Sequence, residues 1–186
     1  TPAALTAMQS GGAGNDRLAI SASVATDGTL DVSADGGAGD DRITVRLGFA
    51  EVSYGSNSST ARIDGGTGND AIVAGMQVGP QESAGIQVVR GGDGDDRIDA
   101  HIATFYFGDE ATLTNRLIGG AGNDEINASS GTGNDEGGTV LNILSGGAGD
   151  DTLTVAAGSG SNSGRVHSEI RADGGTGDDL IDLSNA

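Results

Sequence analysis

The stretch RADGGTGDDLIDL, Arg171 to Leu183, sets three aspartates and three glycines in seven positions and then alternates apolar with polar residues. The same turn recurs as GGAGNDRLA from Gly11, GGAGDDRIT from Gly36, GGTGNDAIV from Gly65, GGDGDDRID from Gly91, GGAGNDEIN from Gly119, GGAGDDTLT from Gly146 and GGTGDDLID from Gly174. The seven copies follow one another at intervals of 25, 29, 26, 28, 27 and 28 residues. A fixed turn with an elastic period is the signature of a solenoid whose length variation is absorbed in loops on one side.

Each copy carries the same local code. The sixth position is Asp throughout (Asp16, Asp41, Asp70, Asp96, Asp124, Asp151, Asp179), and the fifth is always Asn or Asp. The eighth is Leu or Ile (Leu18, Ile43, Ile72, Ile98, Ile126, Leu153, Ile181), and the tenth is small or apolar (Ile20, Val45, Ala74, Ala100, Ala128, Val155, Leu183). That alternation predicts a strand with one buried face. Ala34, Ile63, Val89, Leu117, Leu144 and Ala172 precede the turns from the second onward and predict a returning strand. One coil therefore reads as glycine turn, outgoing strand, variable loop and returning strand. The expected fold is all-β, a parallel β-roll or β-solenoid with two strands per coil of about 27 residues and the turns stacked on one edge. A three-faced parallel β-helix is the alternative.

Composition agrees with a thin core. Only three Phe, two Tyr and no Trp are present among 186 residues, which disfavours a compact aromatic-rich enzyme. The 35 glycines lack a three-residue period, and the absence of cysteine excludes disulfides and thiolate metal sites. A formal charge of −18, with nine Arg and no Lys, argues against nucleic acid and anionic membranes as partners and for multivalent cations. No apolar stretch is long enough to span a membrane, and no secretory leader is visible. The chain starts in a returning strand and stops in an outgoing one. We therefore expect residues 1–186 to be one solenoid domain with seven turns, excised from a longer protein with neighbouring domains.

Stacking the coils places the sixth-position aspartates in a column, flanked by Asp40, Asp95, Asp150 and Asp178 and preceded by Asp35, Asp64 and Asp173. Like charges at strand spacing repel, and hard cations relieve that repulsion. Glycines at the first, second and fourth positions are expected to take positive φ and turn carbonyl oxygens into the gap between coils. Carbonyl and carboxylate oxygens without nitrogen or sulfur donors suit calcium better than magnesium or zinc.

The nine-residue pattern G-G-x-G-x-D-x-U-x, with U a large aliphatic, resembles the calcium-binding repeat of RTX (repeats-in-toxin) proteins, which are secreted bacterial toxins, proteases, lipases and adhesins. The resemblance covers all seven turns. It implies a right-handed parallel β-roll with calcium between successive turns. The earlier turn supplies its second and fourth carbonyls and its Asp; the later turn supplies its first and third carbonyls and its Asp. Carried onto this sequence, the first ion takes Gly12, Gly14 and Asp16 with Gly36, Ala38 and Asp41. The second takes Gly37, Gly39 and Asp41 with Gly65, Thr67 and Asp70. The third takes Gly66, Gly68 and Asp70 with Gly91, Asp93 and Asp96. The fourth takes Gly92, Gly94 and Asp96 with Gly119, Ala121 and Asp124. The fifth takes Gly120, Gly122 and Asp124 with Gly146, Ala148 and Asp151. The sixth takes Gly147, Gly149 and Asp151 with Gly174, Thr176 and Asp179. About six ions are thus implied, with each interior Asp bridging two.

The period departs from a common RTX roll, whose shorter coils bind calcium on both edges. The sequence leaves open whether the distal edge binds calcium or a ligand, and the stray GTGND at Gly131 to Asp135 reads as a solvated loop. His101 and His167 have no triad partners and read as surface residues. The five aromatics, Phe49, Tyr54, Phe105, Tyr106 and Phe107, read as packing for the distal edge. Asn57 and Asn127 begin N-x-S/T sequons that are read as incidental. The expected function is a non-enzymatic, calcium-dependent structural and folding module of a secreted or cell-surface bacterial RTX protein, of adhesin or toxin type and exported by type I secretion. The alternative is a module whose distal loops or sheet faces bind a glycan or surface partner. A β-helix enzyme acting on acidic polysaccharide is the weakest reading.

Overall fold

A computed structural model describes residues 4–24, 28–49, 56–79, 81–104, 111–131, 137–158 and 165–185. Fourteen strands make up the described chain. The returning strands are β1 (Ala4–Ala13), β3 (Thr29–Ala38), β5 (Ser56–Thr67), β7 (Gln81–Asp93), β9 (Ala111–Ala121), β11 (Gly137–Ala148) and β13 (Arg165–Thr176). The outgoing strands are β2 (Arg17–Val24), β4 (Arg42–Phe49), β6 (Ala71–Val78), β8 (Arg97–Thr104), β10 (Glu125–Gly131), β12 (Thr152–Gly158) and β14 (Leu180–Asn185). All odd strands form one seven-stranded sheet and all even strands a second, each in coil order. Every pairing is parallel. The fold is the expected two-sheet β-solenoid rather than the three-faced helix.

Register follows the repeat. Leu18, Ile43, Ile72, Ile98, Ile126, Leu153 and Ile181 stand opposite one another across the outgoing sheet. Ala34, Ile63, Val89, Leu117, Leu144 and Ala172 do so across the returning sheet. These two ladders face each other in a core of aliphatic side chains. From Ile43 to Leu153 the eighth-position side chains have no exposed surface, because each is covered by coils on both sides and by the opposite sheet. The last coil departs from this. Register slips along β14, where Thr154 stands opposite Asp182 and Ala156 opposite Asn185. Ile181, still in register with Leu153, and Leu183, beyond the slip, are 40% and 42% exposed.

The core also contains polar side chains. Gln87, Asn115 and Asn142 stand in register on the inner face of the returning sheet, essentially without exposed surface. Gln87 Nε2 donates to Asn115 Oδ1 (3.2 Å), Asn115 Nδ2 to Asn142 Oδ1 (3.4 Å), and Asn142 Nδ2 to Ser130 Oγ (3.1 Å) of β10. The amides satisfy one another along the stack, which makes their burial tolerable. Asn57 is likewise buried and accepts the Gly28 amide through Oδ1 at 3.1 Å, so its sequon is structural. The Asn127 amide donates to Asp99 (2.9 Å) and Glu125 (3.1 Å) within the sheet. His101 and His167 are exposed as expected. The aromatic side chains, the GTGND loop from residue 132 onward and most of the distal loops lie outside the described residues.

Candidate metal centre

In every coil the returning strand runs through the third residue of the glycine turn, and the outgoing strand begins at the seventh. The turn is therefore three residues wide and leaves little room for side chains. The second and fourth glycines all have φ between 103° and 134°, backbone that L-residues rarely adopt. The first glycine of each turn is not among the positive-φ residues, which corrects the expectation for that position. Its requirement is space. A Cβ at Gly36 would lie against both the Asp41 carboxylate and the Gly65 carbonyl, and the same collision recurs at Gly65, Gly119 and Gly146.

The three glycine positions thus outline a gap into which oxygen atoms converge. Into each gap the earlier coil turns its second-position carbonyl, from Gly12, Gly37, Gly66, Gly92, Gly120 or Gly147, against the second glycine of the next coil. The carbonyls of Gly14, Gly39, Gly68, Gly94, Gly122 and Gly149 meet the fourth glycine in the same way. From the later coil come first-position carbonyls, those of Gly36, Gly65, Gly91, Gly146 and Gly174 being closest. Third-position carbonyls, of Ala38, Thr67, Asp93, Ala121, Ala148 and Thr176, accept the preceding coil's fourth-position N–H at 2.6–2.8 Å. Each keeps a second lone pair.

Two columns of side chains lock the turns together and run in opposite directions. In the fifth-position column, Asn15, Asp40, Asn69, Asp95, Asn123 and Asp150 each accept, through Oδ1, the fifth-position N–H of the following coil at 2.7–3.0 Å. In the sixth-position column the acceptor belongs to the later coil. The N–H groups of Asp16, Asp41, Asp70, Asp96, Asp124 and Asp151 donate to Oδ1 of Asp41, Asp70, Asp96, Asp124, Asp151 and Asp179 at 2.7–3.0 Å.

The second carboxylate oxygen distinguishes the columns. Oδ2 of Asp16, Asp41, Asp70, Asp96, Asp124 and Asp151 is buried and without a hydrogen-bond partner. The residues Asp41 to Asp151 are at most 2% exposed. An unpartnered buried carboxylate is costly, and carboxylates one strand spacing apart repel by about 3–4 kcal/mol at an effective dielectric near 20. Asp96 is accordingly pushed up to about 7, and Asp70 and Asp124 to about 6. Burial is the main cause; the backbone hydrogen bond each accepts opposes it, and neighbouring carboxylates add to it. Asp151 is raised for the same reasons. Among the described residues no three His, Asp or Glu side chains converge as a metal cluster. A cation in these gaps would rely on backbone carbonyls completing a pair of carboxylates, and the all-oxygen donor set fits calcium.

Comparison with known families agrees with this chemistry. A family model describing the RTX calcium-binding nonapeptide repeat, in four copies, matches residues 31–49, 61–77, 83–101, 112–135 and 136–161, more than half of the chain. The chain belongs to the RTX calcium-binding repeat family. Neither characterised proteins nor solved structures returned a match. RTX repeats bind calcium and occur in secreted bacterial proteins, and this chain is a calcium-binding structural module built from them. Among the described residues no helix is long and apolar enough to cross a membrane.

Sequence reasoning found the sixth-position column because it is invariant. It did not anticipate the opposed polarity of the two hydrogen-bond columns. The signal was present in the fifth position, which alternates Asn and Asp from Asn15 to Asp150. A hydrogen-bond acceptor alone is satisfied by either residue.

Proposed function

We propose that this chain is a calcium-driven folding module of a secreted or surface-attached bacterial protein, with one ion in each of the six gaps between turns. The observation that carries this reading is the set of buried, unpartnered Oδ2 atoms, one for each gap. Asp16 and the Gly12 and Gly14 carbonyls would hold the first ion with Gly36, Ala38 and Asp41, and the same set would recur at each step. Each interior Asp would serve two gaps, using Oδ2 toward the later coil and its Oδ1 side toward the earlier one. Bound calcium supplies positive charge that removes the carboxylate repulsion and ties adjacent turns together.

The RTX family and the acidic composition support an extracellular setting, where calcium is plentiful. There residues 1–186 would fold as one unit after crossing an export channel of the type I kind unfolded. An adhesin or toxin setting is consistent with such a spacer, whose role is to fold and hold neighbouring domains. Calorimetric titration of metal-stripped protein is expected to approach six calcium ions per chain, cooperatively. A plateau at one or two ions would contradict the ladder. Magnesium is expected not to replace calcium, because it dehydrates reluctantly and demands stricter geometry.

A further inference from the structure

Gly75 occupies the middle of β6 on the outer face of the solenoid, between the core-facing Ala74 and Met76, and nothing in the backbone requires a glycine there. Its φ is not positive, and a Cβ at this position would meet only the Val45 carbonyl, at an ordinary 4.0 Å. Glycine inside a strand weakens it and packs nothing, and one without a conformational reason marks a place where something approaches closely. Here it forms the floor of a groove of about 510 Å³ on the outer face of the outgoing sheet. Parallel register puts Arg46 and His101 on either side of Gly75, on β4 and β8. The two basic side chains therefore flank a notch about two strand spacings wide, roughly 10 Å.

The charges around the notch are arranged unusually for so acidic a chain. Among the described residues Arg46 has no carboxylate partner. The nearby Asp99 is already engaged, accepting from Arg97 at 3.1 Å and from the Asn127 amide at 2.9 Å. His101 Nδ1 shares a hydrogen bond with Ser129 Oγ at 3.0 Å, which fixes the ring and leaves Nε2 for another partner. Val73 and Gly75 supply an apolar floor, and polar side chains surround it.

We propose that this notch binds a sugar carrying a carboxylate, as part of a short oligosaccharide. The carboxylate would lie over Gly75 between Arg46 and His101, the ring would rest on Val73, and the ring hydroxyls would face Asn127 and Ser129. Guanidinium matches carboxylate as a charge-assisted, bidentate donor, and sugars combine an apolar ring face with hydroxyl edges. The site lies on a sheet face, separate from the calcium turns, so its test is independent of the ion stoichiometry.

The experiment is an NMR titration of the calcium-loaded protein with a glucuronate-containing disaccharide and with its neutral glucose counterpart. Saturable shifts confined to β4, β6, β8 and β10 are expected with the acidic disaccharide and much weaker ones with the neutral compound. Gly75→Leu fills the notch without straining the backbone, so it should leave the calcium-loaded melting temperature unchanged or higher. It should weaken binding at least about tenfold, and Arg46→Gln should do the same while leaving the neutral compound unaffected. Absence of saturable shifts, equal binding of the neutral disaccharide, or undiminished binding by Gly75→Leu would each overturn the proposal.

Discussion

Asparagine replaces aspartate freely in one turn column and never in the other, and the difference is one oxygen atom. At the fifth position Oδ1 completes a backbone hydrogen bond, and from Asn15 to Asp150 alternating Asn with Asp keeps like charges about two coils apart, near one Debye length. At the sixth position Oδ1 does the same, while Oδ2 is buried with no hydrogen bond. Asp96→Asn retains the hydrogen-bond acceptor but, on the proposed bridging, removes the negative charge that two gaps would share, whereas Asp16→Asn would affect one. Calorimetry is expected to show the larger loss of calcium affinity for Asp96→Asn, and Asp95→Asn should change stability by no more than about 0.5 kcal/mol. Equal calcium losses at positions 16 and 96 would contradict bridging.

Protons compete for the same oxygens. In the metal-free fold the carboxyls of Asp70, Asp96 and Asp124 titrate near 6 to 7, against 3.8 for the ordinary group. A raised folded-state value favours the protonated fold. That stability is fully present below about pH 4 and is lost as pH rises through 6 to 7. Acidification from about pH 7.5 to pH 4.5 should therefore increase the folded fraction in chelator. In calcium it should lower the melting temperature, because protons displace the ion over the same interval. Circular dichroism at both values in chelator and melting curves at both values in calcium measure the two effects; effects of the same sign would place the charge elsewhere.

At the scale of a strand and its turn, the structure depends on contacts between coils that are about 27 residues apart. Gly66 has φ of 110°, and a Cβ there would run into the Gly37 carbonyl. Gly66→Ala should lower stability in calcium by at least about 2 kcal/mol in thermal melts, whereas Gly75→Ala should not lower it. The turn, the outgoing strand and the sixth-position column were legible because one recurring nonapeptide encodes them, and the returning strand because an apolar residue precedes each turn from the second onward. Gln87, Asn115 and Asn142 were not legible, since polar residues in a strand ordinarily face solvent. Only the stacked register shows that each amide finds its partner in the next coil. Asn115→Leu would strand both neighbours and should cost about 1–3 kcal/mol. The exposure of Ile181 and Leu183 was hidden for a related reason. Their pattern is that of buried strand residues, but β14 pairs with β12 alone at the edge of the outgoing sheet, and its register slips past Asp182.

For the whole molecule, two thin sheets must hold many glycines in order and keep a formal charge of −18 compact. The aliphatic core is narrow, and glycine loses more backbone freedom on folding than any other residue. Six dications would offset two thirds of the charge. With a site dissociation constant near 0.1 mM, about 1 mM free calcium contributes roughly 1.4 kcal/mol per site, on the order of 8 kcal/mol for six, comparable with the stability of a small domain. At about 0.1 μM calcium the same contribution is close to zero. Far-ultraviolet circular dichroism of the metal-stripped chain, followed as calcium is added, tests this account most directly. The account predicts a largely unfolded spectrum in chelator near neutral pH that converts cooperatively to a β spectrum with a sharp melt as the sites fill. A β spectrum and melt that persist unchanged in excess chelator would contradict it.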